Sequence, residues 1–471
     1  MDLASSAKNL SELCTFRVGG AIKRFYQSTD TADLTAAVAL ADRSKVPLLF
    51  LGGGSNTLPR DEGFDGMVIK DARNSVVVVT DPEDLTISWR DSCHPDNLPN
   101  PNSFGANSAI VRADAGVMWD DLVKYAVSQG FSGIEALSGI PGTVGAAPVQ
   151  NIGAYGAEIG DVIIGLTAWD RVRSKICYLV RRDMAFGYRD SILKRSRVAL
   201  GGATGRWIVL GVDLELQRST ESSPVAYSQL AAALGVELGE RAPLEAVRAA
   251  VLELRRGKGM VLDAADHDTW SAGSFFTNPI VPADSPILRG LPAEAPRWEV
   301  ARPRSYEEIM AAMMPSVWRK NSGISGENGS AGGSVGETGS AGLERETGLK
   351  SRSSAGMASA AEPHCSEDDG RLTATDDCPT EIVGSAKGAV DAGSAKDVAV
   401  KLSAAWLIEH SGVPKGFALP ESGAGVSTKH VLALTNRGGA SAAEIRALAD
   451  YVVSRVRETF EVELVPEPVI L

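Results

Sequence analysis

One stretch in the middle of the chain, SGIPGTVGAAPVQNIGAYGAE from Ser138 to Glu158, restricts the fold more than any other. It carries Gly139, Gly142, Gly145, Gly153 and Gly156, with Pro141 and Pro148 between them. Glycine loses the most backbone freedom on folding, so neither a long helix nor a well-packed strand can be built here. The intervening Ile140, Val144, Val149, Ile152 and Tyr155 are apolar, which argues against a solvated linker. A buried, irregular backbone has N–H groups that no ladder pairs, and these must find other acceptors. Such a backbone suits the docking of a flat anionic group. A packed Ω-like loop that holds no ligand is the competing reading.

The chain has 471 residues, a length that suits two or more domains. Its net charge is −12, from 47 basic and 59 acidic residues without a basic cluster, so neither nucleic acid nor a membrane surface is an expected partner. A small anion is still allowed, because a few local Arg and Lys can hold it. No apolar run approaches the roughly 18 residues of a membrane span, and the first thirty residues lack the pattern of a signal peptide. Five cysteines (14, 93, 177, 365 and 378) without a CxxC pair read as free thiols of a cytoplasmic protein. The five histidines lack helical HxxxH spacing, so no metal site is expected.

Along the chain, helix and strand signals alternate. Leu34, Ala37, Val38 and Ala41 recur at helical spacing behind an Asp30 N-cap. The apolar run 48–51 then ends in Gly52-Gly53-Gly54-Ser55-Asn56. Helix, buried strand and glycine turn follow α/β grammar, but neither GxGxxG nor GK[ST] is present, so Rossmann and P-loop readings lack support. Residues 75–90 read as strands, 93–107 as a surface loop, 109–117 as a strand and 119–129 as an amphipathic helix. Strand signals at 162–170, 176–180 and 207–216 enclose AFGYRDS at 185–191. Further helices are expected from Pro243 to Arg256, from a capping box at Ser305/Glu308, and from a second box at Ser441/Glu444 to Phe460. The closing EVELVPEPVIL reads as a strand pairing with an earlier part of the chain. From 321 to 397, Gly and Ser supply 26 of 77 residues and no aromatic occurs, so this segment is expected to be disordered. Cys365 and Cys378 lie inside it, and no role is assigned to them.

Four side chains stand out chemically: Arg189 in GYRD, Ser274 in GSFF, Glu467 between Pro466 and Pro468, and Lys258 beyond a helix end. Each alone has a structural reading, as a stacked arginine, a turn serine, an ion-paired glutamate or a helix-end cation. Ser274 is not in GxSxG, so hydrolase chemistry is unsupported.

Read together, the motifs resemble a known family. The glycine-rich string, TFRVGG at 15–20, LGGGSN at 51–56, FGYRDS at 186–191, AGSFFTNP at 272–279, SAAWLIEHSG at 403–412 and the closing PEPV occur in the order seen in the UDP-N-acetylenolpyruvoylglucosamine reductases (UDP-N-acetylmuramate dehydrogenases, the MurB family). The tyrosine at 227 is similar to that of one subgroup. Cys14 replaces a frequent Asn, the end reads PEPVIL where PEVR is common, and 321–397 falls outside the matching motifs.

The resemblance implies an α+β fold: a two-domain FAD-binding fold of the vanillyl-alcohol-oxidase/PCMH type plus a C-terminal α+β substrate domain. It places FAD-binding subdomain 1 at 1–75 with 461–471, subdomain 2 at 76–256, and the substrate domain at 257–460. It implies an FAD enzyme of cell-wall precursor synthesis that uses NADPH to reduce an enolpyruvyl ether on a UDP-sugar. By the same resemblance, FAD is held by Gly52, Gly53, Gly54, Ser55 and Asn56, and by Ser138, Gly139, Gly142, Thr143, Gly145, Ile152, Gly153, Ala154 and Tyr155. Arg189 and a protonated Glu467 polarise the substrate carboxylate, and Ser274 protonates the neighbouring carbon. Tyr188, Tyr227, Lys258 and Asn278 contact substrate, and the chain is a monomer. The rival readings are an FAD-dependent alcohol oxidase or dehydrogenase of the same fold, and a catalytically silent flavin-binding interaction protein.

Overall fold

A computed structural model describes residues 8–81, 84, 104, 105, 107–313 and 398–471. The expected strand at 85–89, most of the loop at 93–107 and the Gly/Ser-rich segment 321–397 lie outside these residues.

The first layer is a small parallel sheet. Its elements are β1 (Ile22–Ser28), α1 (Thr31–Arg43), β2 (Leu48–Phe50) and β4 (Phe64–Asp71), while β3 (Thr57–Leu58), between β2 and β4 in sequence, pairs outside this sheet. β4 lies between β1 and β2, with Val68 paired to Phe25 on one side and Leu49 on the other. The Asp30 carboxylate accepts the Asp33 N–H at 2.9 Å and caps α1 as expected. The apolar face of α1 (Leu34, Ala37, Val38, Ala41) packs on Leu48, Met67 and Ile69. β2 is buried and short, so the chain leaves its C-terminal end directly into the Gly52–Asn56 turn.

The second layer is antiparallel. It contains β5 (Val76–Val79), β6 (Ser108–Asp114), β7 (Phe131–Ser132), β8 (Ile163–Asp170), β9 (Lys175–Val180) and β10 (Trp207–Arg218). The order is β9-β8-β10-β6-β5, with β7 pairing further along β10. Ile208 and Leu210 of β10 join the core beneath α1, which ties this sheet to the first. Register puts Arg112 opposite Asp213, and the pair closes at 2.7 Å. Between and after these strands come α2 (Trp119–Ser128), α3 (Ile192–Leu200), α4 (Ser228–Leu234) and α5 (Leu244–Gly257). The expected ends of α5 shift slightly. Pro243 stands outside as N-cap, Gly257 is the last helical residue, and the left-handed turn falls to Gly259 at φ +67°.

The third layer begins with β11 (Ile280–Pro282), β12 (Arg297–Ala301) and β13 (Val398–Leu402), in the antiparallel order β11-β13-β12. It continues through α6 (Ala404–His410), the pair β14 (Ala424–Val426) and β15 (Leu434–Asn436), and α7 (Ala442–Phe460). α7 carries the expected capping box: Glu444 donates its N–H to Ser441 Oγ, and the Ser441 N–H reaches the Glu444 carboxylate at 2.7 Å. Ile445, Leu448, Val452 and Val456 of α7 share a core with Phe275, Phe276, Leu407 and Ile408, and with Phe16, Val18 and Leu58 from the chain's beginning.

The closing segment is not a continuous strand. Pro466 bridges Phe276, and only β16 (Val469–Ile470) runs parallel to β3. Pro466 and Pro468 supply no N–H, which breaks the ladder between the two contacts. Glu467 is thereby pinned between two layers. The mixed content is α+β, and among the described residues no helix is long and apolar enough to cross a membrane.

Candidate active site

A cavity of about 500 Å³ opens where the layers meet, and both glycine stretches line it. Their backbones pack face to face: a Cβ on Gly53 would stand 2.6 Å from the Gly142 Cα. Gly54 adopts φ +66°, and a Cβ there would run into the Leu13 carbonyl, so no other residue fits that turn. Ser55 Oγ donates to the Pro141 carbonyl at 3.0 Å, which fastens one stretch to the other. The amide N–H groups of Gly52, Gly53, Gly54 and Ser55 donate to no acceptor among the described residues. Four gathered amides beside a cavity form a cradle for an anion.

Ser138 and Gly139 do not line this cavity. The Ser138 hydroxyl donates to the Glu135 carbonyl at 2.7 Å, and the Gly139 N–H to Asp120 at 2.6 Å. Their surroundings make them anchors of the stretch; Gly142, Thr143, Gly145, Ile152, Gly153, Ala154 and Tyr155 face the cavity.

Arg189, Ser274 and Glu467 come from three distant segments and line the same cavity. Arg189 has φ +50°, and Lys194 Nζ donates to its carbonyl at 2.9 Å. Its guanidinium donates to the Gly153 carbonyl at 2.6 Å, and Nε lies 3.7 Å from Glu467 Oε1. The Glu467 side chain is 11% exposed. Burial holds its carboxyl above the ordinary carboxylate range, against the pull of Arg189 and Lys194. Its backbone N–H donates to the Phe275 carbonyl at 2.8 Å, next to Ser274 in sequence. Ser274 Oγ lies 3.2 Å from Nε2 of the buried His430.

The remaining candidates surround these three. The rings of Tyr155 and Tyr227 meet edge to face at 5.6 Å. Lys258 Nζ donates to Gln229 Oε1 at 3.0 Å, and Asn278 Oδ1 accepts the Ala404 N–H at 2.9 Å, capping α6. Tyr188 has Lys401 Nζ 4.8 Å from its ring centroid, and burial raises its phenol.

Gln150, His430 and Arg255 are among the further residues that line the cavity. Gln150 sits in a stretch read for its backbone, and a lone histidine before an apolar run gives no signal. Arg255 is 8% exposed in α5, its Nη2 donates to the Met260 carbonyl at 3.0 Å, and its Nε has no partner among the described residues. A buried guanidinium with a spare N–H beside a cavity is suited to a phosphate or carboxylate. A cationic residue in the last turn of an amphipathic helix is the available clue.

A family model for the UDP-N-acetylenolpyruvoylglucosamine reductase C-terminal domain matches residues 265–471. A UDP-N-acetylenolpyruvoylglucosamine reductase of Leifsonia xyli is 37% identical over 470 residues, covering 98% of this chain and 97% of its own. The chain belongs to the UDP-N-acetylenolpyruvoylglucosamine reductase family. Another reductase of the family, from Thermobifida fusca, is 37% identical across 99% of this chain and 98% of its own. A solved one from Thermus caldophilus aligns over 99% of this chain at 18% identity and a TM-score of 0.48, so membership rests on the sequence relationship. A model of an FAD binding domain matches residues 97–176, which include the whole second glycine stretch.

As a member of this reductase family the chain is an oxidoreductase, and its described residues fit FAD. The four spare amides suit a pyrophosphate, and the contact of Gly53 with Gly142 leaves no side chain between cradle and cavity.

Proposed function

We propose that this chain is a cytoplasmic, NADPH-dependent reductase of peptidoglycan precursor synthesis, converting the enolpyruvyl ether of a UDP-N-acetylglucosamine to the lactyl ether of UDP-N-acetylmuramate. The observation that carries this reading is the convergence of Arg189, Glu467 and Ser274 beside the glycine cradle. Residues 1–75 with 461–471 and residues 76–256 would form the two FAD-binding parts, with the substrate part at 257–460.

FAD, held by the amides of Gly52, Gly53, Gly54 and Ser55, would supply hydride exchange between NADPH and the terminal vinyl carbon. The protein must make that carbon electrophilic, because an enol ether is electron-rich. It does so through the neighbouring carboxylate, which takes up the electron pair displaced from the double bond. Arg189 carries a fixed positive charge for that carboxylate, and the Gly153 carbonyl holds its guanidinium in place. Burial favours the neutral form of Glu467 over its carboxylate, and that form can donate a hydrogen bond to the developing dianion. Ser274 Oγ then gives its proton to the ether-bearing carbon, forming the C–H bond that completes the reduction. The His430 imidazole, 3.2 Å away, is placed to restore that proton.

Tyr227 and Arg255 suit the diphosphate of the sugar nucleotide, Lys258 and Asn278 lie near the nucleotide, and Tyr188 lines the same cavity. An alcohol oxidase reading leaves the three-residue convergence unused, and a silent binding protein has no need of a neutral buried Glu467. The test is a spectrum: the purified protein should be yellow, bleach with NADPH and recover its colour on adding the enolpyruvyl nucleotide. A yellow protein that NADPH does not bleach, or one that the nucleotide does not re-oxidise, contradicts the reading.

A further inference from the structure

A chain of hydrogen bonds beside Glu467 has a direction that geometry alone decides. The Glu467 backbone carbonyl can only accept, and it receives Asn56 Nδ2 at 3.3 Å. That contact fixes which end of the Asn56 amide is nitrogen. The same nitrogen donates to Gln150 Oε1 at 2.6 Å, so Gln150 presents its own nitrogen on the other side. Gln150 Nε2 donates to Glu467 Oε1 at 3.0 Å. Arg189 Nε approaches the same oxygen at 3.7 Å. Oε1 is therefore an acceptor from two directions, and a proton on it would point a donor at a donor. Oε2 has no hydrogen-bond partner among the described residues and is left to the cavity that Glu467 lines.

We propose that Gln150, locked by Asn56, is a positioning residue that occupies Oε1 of Glu467 and aims Oε2 with its proton at the carboxylate of the substrate. This rests on the reductase reading above and adds to it which oxygen acts and what selects it. Asn56 then has two tasks, because it also belongs to the glycine turn at the cradle. One residue couples the backbone that holds the cofactor to the acid that faces the substrate. The charged groups facing the Glu467 carboxyl are Arg189 and Lys194, and neither can replace the Gln150 donor. Arg189 is held by Gly153, and the Lys194 ammonium is spent on the Arg189 carbonyl.

The experiment uses the full-length, FAD-loaded protein and two variants, Gln150→Leu and Gln150→Glu. Bleaching by NADPH, re-colouring by the enolpyruvyl nucleotide and nucleotide affinity of the oxidised protein are followed separately. In Gln150→Leu, bleaching should stay within about twofold of wild type while re-colouring slows about tenfold to a hundredfold, the size expected when the charge-assisted hydrogen bond from Oε2 to the substrate carboxylate is no longer aimed. Nucleotide affinity should change little, because Arg189 still holds the carboxylate. Gln150→Glu keeps the acceptor for Asn56, and its carboxyl can donate to Oε1 only when protonated. Its re-colouring rate, taken as a ratio to wild type at the same pH because Glu467 itself titrates, should rise toward one as the pH falls, a recovery that Gln150→Leu cannot show.

Wild-type re-colouring in Gln150→Leu, or an equal loss in bleaching and re-colouring, overturns the role of Gln150. If Gln150→Leu does not fold, the pH recovery of Gln150→Glu decides, and its absence overturns the proposal. Failure of the wild-type protein itself to be re-coloured by the nucleotide sinks the underlying reductase reading instead.

Discussion

The two sides of the cavity are built from different material. The cradle side is mainly backbone: Gly53 and Gly142 meet without a side chain between them, and both glycine segments are continuous in sequence. The opposite side is made of side chains: Arg189, Ser274 and Glu467 are separated by long stretches of chain, and each is held by contacts from another segment. Binding an anion through backbone amides needs conformation more than residue identity, so glycine suffices. Stabilising charge that appears during a reaction needs particular groups at particular atoms, and these can come from any part of the fold.

The comparison can be broken from either side. On the cradle side the variant is Gly53→Ala, which should lose the cofactor itself. Its methyl would stand 2.6 Å from a backbone atom of Gly142, so the two stretches must separate. The variant should purify colourless and bind added FAD at least tenfold more weakly by fluorescence quenching, about 1.4 kcal/mol or more. A fully yellow Gly53→Ala would show that the cradle is not built by this contact.

On the side-chain face, Arg189→Lys keeps a charge but loses the planar fork that reaches Gly153 and Glu467 together. Turnover should fall about a hundredfold to a thousandfold, the usual cost of removing a preorganised donor, with the FAD content unchanged. Glu467→Gln offers an N–H that does not titrate. Its loss near neutral pH should be about tenfold, since a neutral donor replaces a stronger one. The pH dependence is more telling. Burial raises the Glu467 pKa above its ordinary 4.5, so its neutral form dominates at low pH and is lost as pH rises through the shifted value. Wild-type turnover should fall on that alkaline limb, and Glu467→Gln should lack it. Smallest is Ser441→Ala, which removes the N-cap of α7 far from the cavity. It should cost about 1 kcal/mol of stability in a urea titration and leave turnover unchanged.

The same division explains what could be read before folding. The glycine stretches, the Asp30 cap, the Ser441/Glu444 box and strands β5, β6, β8, β9 and β10 are local patterns, and the structure has them where the sequence places them. The terminal segment reads as a strand because Val462, Leu464, Val465, Val469 and Ile470 are apolar. Pro466 and Pro468 leave it two short pairings instead, and this interruption exposes Glu467 to the cavity. Arg189, Ser274 and Glu467 were reached through motifs of a known family; no periodicity marks them. Gln150 and His430 were missed because their significance depends on a partner far away in sequence, Glu467 for one and Ser274 for the other. Ser138 belongs to the glycine motif, yet its hydroxyl serves the loop's own backbone.

The division of labour is tested most directly by Ser274→Ala, followed without oxygen in two separate steps. The variant should purify yellow and bleach with NADPH at the wild-type rate, because the cradle is intact. Its re-colouring by the enolpyruvyl nucleotide should be slower by about a hundredfold to ten-thousandfold, the range for a lost general acid. Equal slowing of both steps, or wild-type re-colouring, would contradict a site in which backbone holds the cofactor and Ser274 delivers the proton.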